Sequence, residues 1–343
     1  MELGAVVLRW LSLSALALVV GALVLEAVVM PGEEPALGVA RRRLRRSVVG
    51  GVLLLMATTA GQLILRAQVM VGGSMFAAAS ALPMVLLRTH FGIIWIIRGG
   101  LLAAVIIAAL APTRAARWSA LALAAGVAAT TSMTGHAGDW GDATPSAGID
   151  LLHIWAASAW TGGLMALSLA VLVDTSKWPP SLFPRLARRF STLAGWCLAI
   201  VIASGIYNAV IQVSTPAALV WTAYGRILVV KIFLVLALAA FGAVSRYGIV
   251  AALGPGEATG VGSRLFRRAF PQLAHAKTRP AQVAFSRYVA SEALLALIVF
   301  GCTAMLGEST PARHAFKMQH GSTMSPADDD SSPATRPAHE ERH

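Results

Sequence analysis

Three imidazoles and a thioether are the side chains of this 343-residue chain best suited to chemistry. His90, His136 and His153 each stand near one end of an apolar run, and Met133 shortly precedes His136 in the string SMTGHAGDW. Imidazole with thioether is a copper-type ligand set, because Met selects Cu(I) and His accepts Cu(I) or Cu(II). Calcium and magnesium would ask for carboxylates and carbonyls, and zinc more often adds Cys or carboxylate to His. His153 lies in DLLHIWAASAWTGGLMAL, with Trp160 seven residues on and Gly162–Gly163 directly behind. Seven residues return a helix to the same stripe, so Trp160 is expected to pack beneath His153 and limit water access. An imidazole in hydrocarbon faces the protein interior and is a functional candidate by default. Each piece also has a plainer reading: Met fills gaps in apolar cores, and an interfacial His can serve as a hydrogen-bonded anchor.

The elements that must position these groups are membrane helices. Hydrophobic residues make up 57% of the chain and charged residues 13%, and mean hydropathy is +0.69, which excludes an ordinary soluble domain. A helical span needs about 20 mostly apolar residues. Eight stretches qualify, roughly 3–29, 47–67, 91–111, 117–135, 149–173, 190–212, 225–245 and 288–306. The segment 68–88, broken by Gly72, Gly73 and Pro83, reads as interfacial or re-entrant. The first stretch lacks a basic start and a clean cleavage site, so it reads as a retained helix. The expected fold is thus an all-α integral membrane protein, a bundle of about eight helices over residues 1–310. The Ser-, Pro-, Asp- and His-containing stretch 311–343 is expected to be a disordered tail.

The net charge of +12 would suggest nucleic acid in a soluble protein, but its placement argues for a bilayer. Basic residues crowd alternate loops: Arg41–Arg43, Arg45 and Arg46; Arg114 and Arg117; Lys177, Arg185, Arg188 and Arg189; and Arg246 to Arg287. Loops 136–148 and 213–224 hold none. By the positive-inside rule the basic loops are cytoplasmic and both termini lie outside. The basic runs also suit anionic lipid headgroups. On this map all but His275 of the eight histidines face outward. The tail adds His314, Met318, His320 and Met324 to that side as further soft ligands. Cys197 and Cys302 fall near opposite ends of their helices, so a disulfide between them is not expected.

Arg98, Lys231 and Glu292 fall inside spans and should face the bundle interior or a water-filled cavity. Arg98 and Lys231 sit at similar depth below the outer surface and need an anion or acceptor nearby. Glu292 enters from the inner side. The three read either as an ion pathway or as helix-to-helix glue, with Glu292 paired to Arg287 or Lys231.

The order of motifs resembles the copper resistance D family over residues 83–310. It runs through Thr89, Phe91, Gly92, Trp95 and Arg98, then Gly135 and His136, then His153, Trp160, Gly162, Gly163 and Leu164. It continues through Phe190, Ser191, Ala194, Ser204 and Gly205, through Tyr224, Gly225, Leu228 and Lys231, and through Arg287, Glu292 and Pro311. Ser245–Arg246 departs from the expected Asn–Arg. The resemblance implies a bacterial inner-membrane copper homeostasis protein that moves copper inward with a periplasmic copper-binding partner of the C type.

The leading expectation is therefore a copper site near the outer face built from His90, His136 and His153, with Met133 as fourth ligand. A haem-binding electron-transfer protein is the alternative, since paired helix histidines can ligate haem, although no second pair exists on the inner side. A docking or sensor protein without transport is a third reading. No nucleotide-binding loop or Ser-His-Asp arrangement is present, so no enzymatic activity is expected.

Overall fold

The structure is a computed structural model that describes residues 3–32, 34–72, 75–133, 144–213, 216–250 and 278–309, together with Arg268. Every regular element among them is helical. α1 (Leu3–Val24) runs into a π-helical turn, Leu25–Val29, and is followed by the long α2 (Gly38–Val71). Gly72, at φ 65°, ends α2 in the left-handed region that favours glycine. The short α3 (Met75–Arg88) leads to α4 (His90–Leu110) and α5 (Arg114–Met133). α6 (Pro145–Ala166) again runs into a π turn, Leu167–Val171, before the long α7 (Leu182–Gln212). The short α8 (Pro216–Trp221), α9 (Ala223–Val244) with its π turn Ser245–Val250, and α10 (Thr278–Gly307) complete the chain.

Among the described residues, seven helices are long and apolar enough to cross a membrane, close to the expected eight. The expected span 117–135 forms α5, which at 20 residues covers about 30 Å. Its two arginines and its Ser and Thr content keep it below the apolarity of the others. The segment expected to be re-entrant becomes α3, which at 14 residues is too short to span.

The ten helices fall into two copies of one plan. Each copy has a 22-residue helix with a five-residue π turn, then a long helix, a short helix, a threonine-capped span and a closing helix. The caps match atom for atom. Thr89 Oγ1 accepts from the Gly92 amide at 2.9 Å and donates to the Val85 carbonyl. Thr222 Oγ1 accepts from the Gly225 amide at 2.9 Å and donates to the Ala218 carbonyl. A Cβ at Gly92 or Gly225 would overlap the backbone of the preceding short helix, so glycine is needed at both joints. The ninth residue after each capping threonine is a cation, Arg98 or Lys231.

α1 and α6 meet at the centre. About 72% of each of these spans is buried, against 11% for α9, so the outer helices carry the lipid-facing surface. Ile93, Ile97, Ile206 and Phe233 are among the exposed apolar side chains there. The central contact depends on glycine, as expected for Gly162–Gly163. A Cβ at Gly162 would overlap the Ala17 carbonyl, and one at Gly21 would overlap Gly162 itself. Small residues thus replace the hydrophobic effect, which gives no drive between helices already in lipid.

Candidate functional site

The half of the bundle expected to face outward holds a polar cluster centred on α6. Asp150 and His153 are three residues apart and share one face of that helix. Asp150 Oδ2 accepts from Ser132 Oγ of α5 at 2.8 Å, and Oδ1 accepts from Asn208 Nδ2 of α7 at 3.2 Å. Lys231 of α9 and Arg9 of α1 are electrostatic neighbours of the same carboxylate. Lys231 also neighbours His153, and Cys302 of α10 lies close to its ammonium. Six helices therefore converge on this cluster.

The hydrogen bonds assign the tautomer of His153. Its Nδ1 is 2.9 Å from Ser204 Oγ, while that hydroxyl donates to the Ile200 carbonyl at 2.6 Å. With the Ser204 proton committed, the hydroxyl oxygen can only accept, so Nδ1 carries the ring proton and Nε2 keeps its lone pair. Fixing one ring nitrogen in this way is how a ligand imidazole is oriented. Gly205 makes room for the ring: a Cβ there would lie 3.3 Å from His153 Cε1.

The other expected ligands are distributed differently. His90 is the first residue of α4 and is exposed. Met133 ends α5 and is half-buried, one residue from Ser132. His136 and the tail residues His314, Met318, His320 and Met324 lie outside the described residues. Among the described residues, no group of three or more His, Cys, Asp and Glu side chains stands close enough to hold a metal ion. Both cysteines are free thiols.

Arg98 finds the acceptor its depth requires, and Lys231 has a carboxylate in its electrostatic neighbourhood. Arg98 is buried and donates from Nη2 to Thr131 Oγ1 of α5 at 2.9 Å, which ties α4 to α5. For Lys231 that neighbour is Asp150. Glu292 makes neither expected pairing: it is 4% exposed and its Oε1 has no hydrogen-bond partner. Helix direction explains the difference. Lys231 is about 12 Å along α9 from its outer end, whereas Glu292 is about 22 Å from the outer end of α10.

Trp160 is buried below His153 and forms the upper wall of a cavity of about 470 Å³ in the inner half. Phe190, Ser191, Arg246, Tyr247 and Glu292 are also in its lining. A second inner-side cavity of about 630 Å³ gathers Arg41, Arg114, Arg117 and Arg189 around Glu26, in keeping with a basic surface at anionic headgroups.

Sequence reasoning singled out His153 and Trp160 and passed over Asp150, Ser132, Asn208 and Arg9. Asp150 carried a signal, an acid one helical turn before a histidine at the start of an apolar run. Its partners come from residues 18 and 58 positions away, which no local pattern reveals.

Residues 184–306 match the family described as Copper resistance protein D, and residues 1–144 match the Copper resistance protein D-like, N-terminal domain. The second match extends the likeness to the first copy of the helical plan. Copper transport protein CutJ of Bacillus subtilis (strain 168) is 28% identical over 199 residues, which is 55% of this chain. The matched region is 37% of the length of that relative. No solved structure matches the chain.

Proposed function

Since the chain belongs to the copper resistance D family, we propose that it binds copper at the outer face of the bacterial inner membrane and moves the ion across. The observation that carries this reading is the fixed tautomer of His153, which leaves Nε2 as a Lewis base about 12 Å below the start of α6. Asp150, one turn nearer the surface, supplies the negative charge that draws a cation inward. Lys231 and Arg9, the latter ion-paired with Glu308, are cationic neighbours of that carboxylate and make its charge tolerable in a low dielectric. Met133, at the end of the helix that carries Ser132, provides a thioether for Cu(I). His90 and His136 belong to the approach from outside, where a periplasmic copper-binding protein of the C type would release its cargo.

Trp160 separates this cluster from the inner cavity. A copper ion held at His153 reaches the inner half only when that indole or the surrounding helices move. Inward direction is what the family resemblance implies. We assign the chain no covalent step.

Copper titration of purified protein in detergent tests the reading. One tightly held Cu(I) per chain is expected, with binding lost in a variant that carries both D150N and H153A. Unchanged stoichiometry in that variant and in one that carries H136A and H153A would overturn the site. The preparation should also lack a Soret band; a strong one would replace copper with haem.

A further inference from the structure

The two copies of the helical plan differ in how their long helix meets the threonine-capped span. In the first copy α2 packs directly against α4, and Arg66 of α2 lies 5.6 Å over the Phe91 ring of α4. In the second copy α9 stands off from α7, and the 470 Å³ cavity occupies the gap. The membrane cations give a register between the closing helices: Arg98 bonds Thr131, and Lys231 neighbours Cys302. Counting back equally from Thr131 and Cys302 reaches Leu121 in the first copy and Glu292 in the second. The copy that opens is the copy with an acid at the opening.

We propose that Glu292 is a proton-binding site that exchanges with water through this cavity, from the basic-loop side of the membrane. A buried ionised carboxylate without a partner costs several kcal/mol, whereas a carboxylic acid does not bear that penalty. The charged and titratable groups that line the cavity with it are Arg246 and Tyr247. Arg246 is occupied, since its Nη1 donates to the Ser191 carbonyl at 2.5 Å and contacts Ser191 Oγ at 3.3 Å. α7 adds Ser191 and Thr192 to the lining and α6 adds Trp160, none of which ionises near neutrality. α1 has no ionisable residue between Arg9 and Glu26, and the turn Leu167–Val171 has none. On α9, Arg226 and Lys231 belong to the outer half. Tyr288 on α10 itself is committed to a ring contact with Phe241. Among the described residues Arg246 is the one cation in this lining, and its hydrogen bonds go to Ser191 rather than to Glu292, so the buried carboxyl has no bonded cation to hold it ionised. A cavity of this size admits several waters, each of which needs about 30 Å³, and these supply the exchange path.

The site needs no copper, so the test uses metal-free protein in liposomes and stands apart from the copper reading. Infrared difference spectra between H₂O and D₂O at neutral pH should show a protonated-carboxyl C=O band that shifts on deuteration. E292Q should remove it, E292D should retain it at a displaced frequency, and D150N should leave it in place. A spectrum of E292Q equal to wild type would overturn the proposal, and so would a band that ignores D₂O. Loss of the wild-type band on adding sodium or Cu(I) would mark a cation site instead and would equally overturn it.

Discussion

Ser204 decides what His153 can do. Its hydroxyl is committed to the Ile200 carbonyl, so it accepts from Nδ1 and leaves Nε2 basic. S204A should free the ring to rotate and change tautomer, with copper affinity down about 10-fold, in the range typical of lost outer-shell partners. Competition against a Cu(I) chelator measures this, and S204T should restore most of the loss. Only part of this arrangement is legible in the sequence. His153 stands out because imidazole is costly in hydrocarbon, and Trp160 because seven residues separate the two. Asp150 is hidden at the margin of its span, where an acid reads as loop, and Ser132 and Asn208 are too ordinary to flag without their partners. Glu292 is visible as a buried charge. Its lack of a partner is not, because Arg287 and Lys231 look equally available until helix direction places Lys231 in the other half.

At the scale of the helix, glycine does opposite things at different positions. At Gly162 a methyl group would overlap the Ala17 carbonyl, so G162A must part α1 from α6. The expected loss is about 1–3 kcal/mol, the usual cost of overpacking. Gly100 on α4 faces open space, and G100A should be neutral or stabilising by up to about 1 kcal/mol through helix propensity. Thermal unfolding in detergent compares the two, and equal midpoints would contradict the packing. Hydropathy revealed the spans because lipid demands them, and small residues revealed the close helix contact. It did not reveal the repeated plan, because the copies differ in helix length: α3 and α8 have 14 and 6 residues, and α5 and α10 have 20 and 30. No fixed period survives such changes, whereas the threonine caps do.

For the whole molecule, the distribution of arginine and lysine predicts the orientation. In a background where Cys197 and Cys302 are replaced by Ala, L3C should react with an impermeant thiol reagent on intact spheroplasts. K177C should react only after the membrane is opened. Both positions are exposed, so the reverse pattern would invert the topology and move the His153 cluster to the cytoplasmic face. The doubled plan has a consequence for assembly. The first copy closes at Met133 and the second begins at Pro145, so one covalent link joins two units that otherwise meet through α1 on α6, α1 on α10 and α5 on α6. Two genes could therefore replace one: fragments 1–140 and 141–343, co-expressed with a tag on either, should copurify as a complementing pair. The continuity of this polypeptide would then be a convenience of synthesis rather than a condition of its architecture.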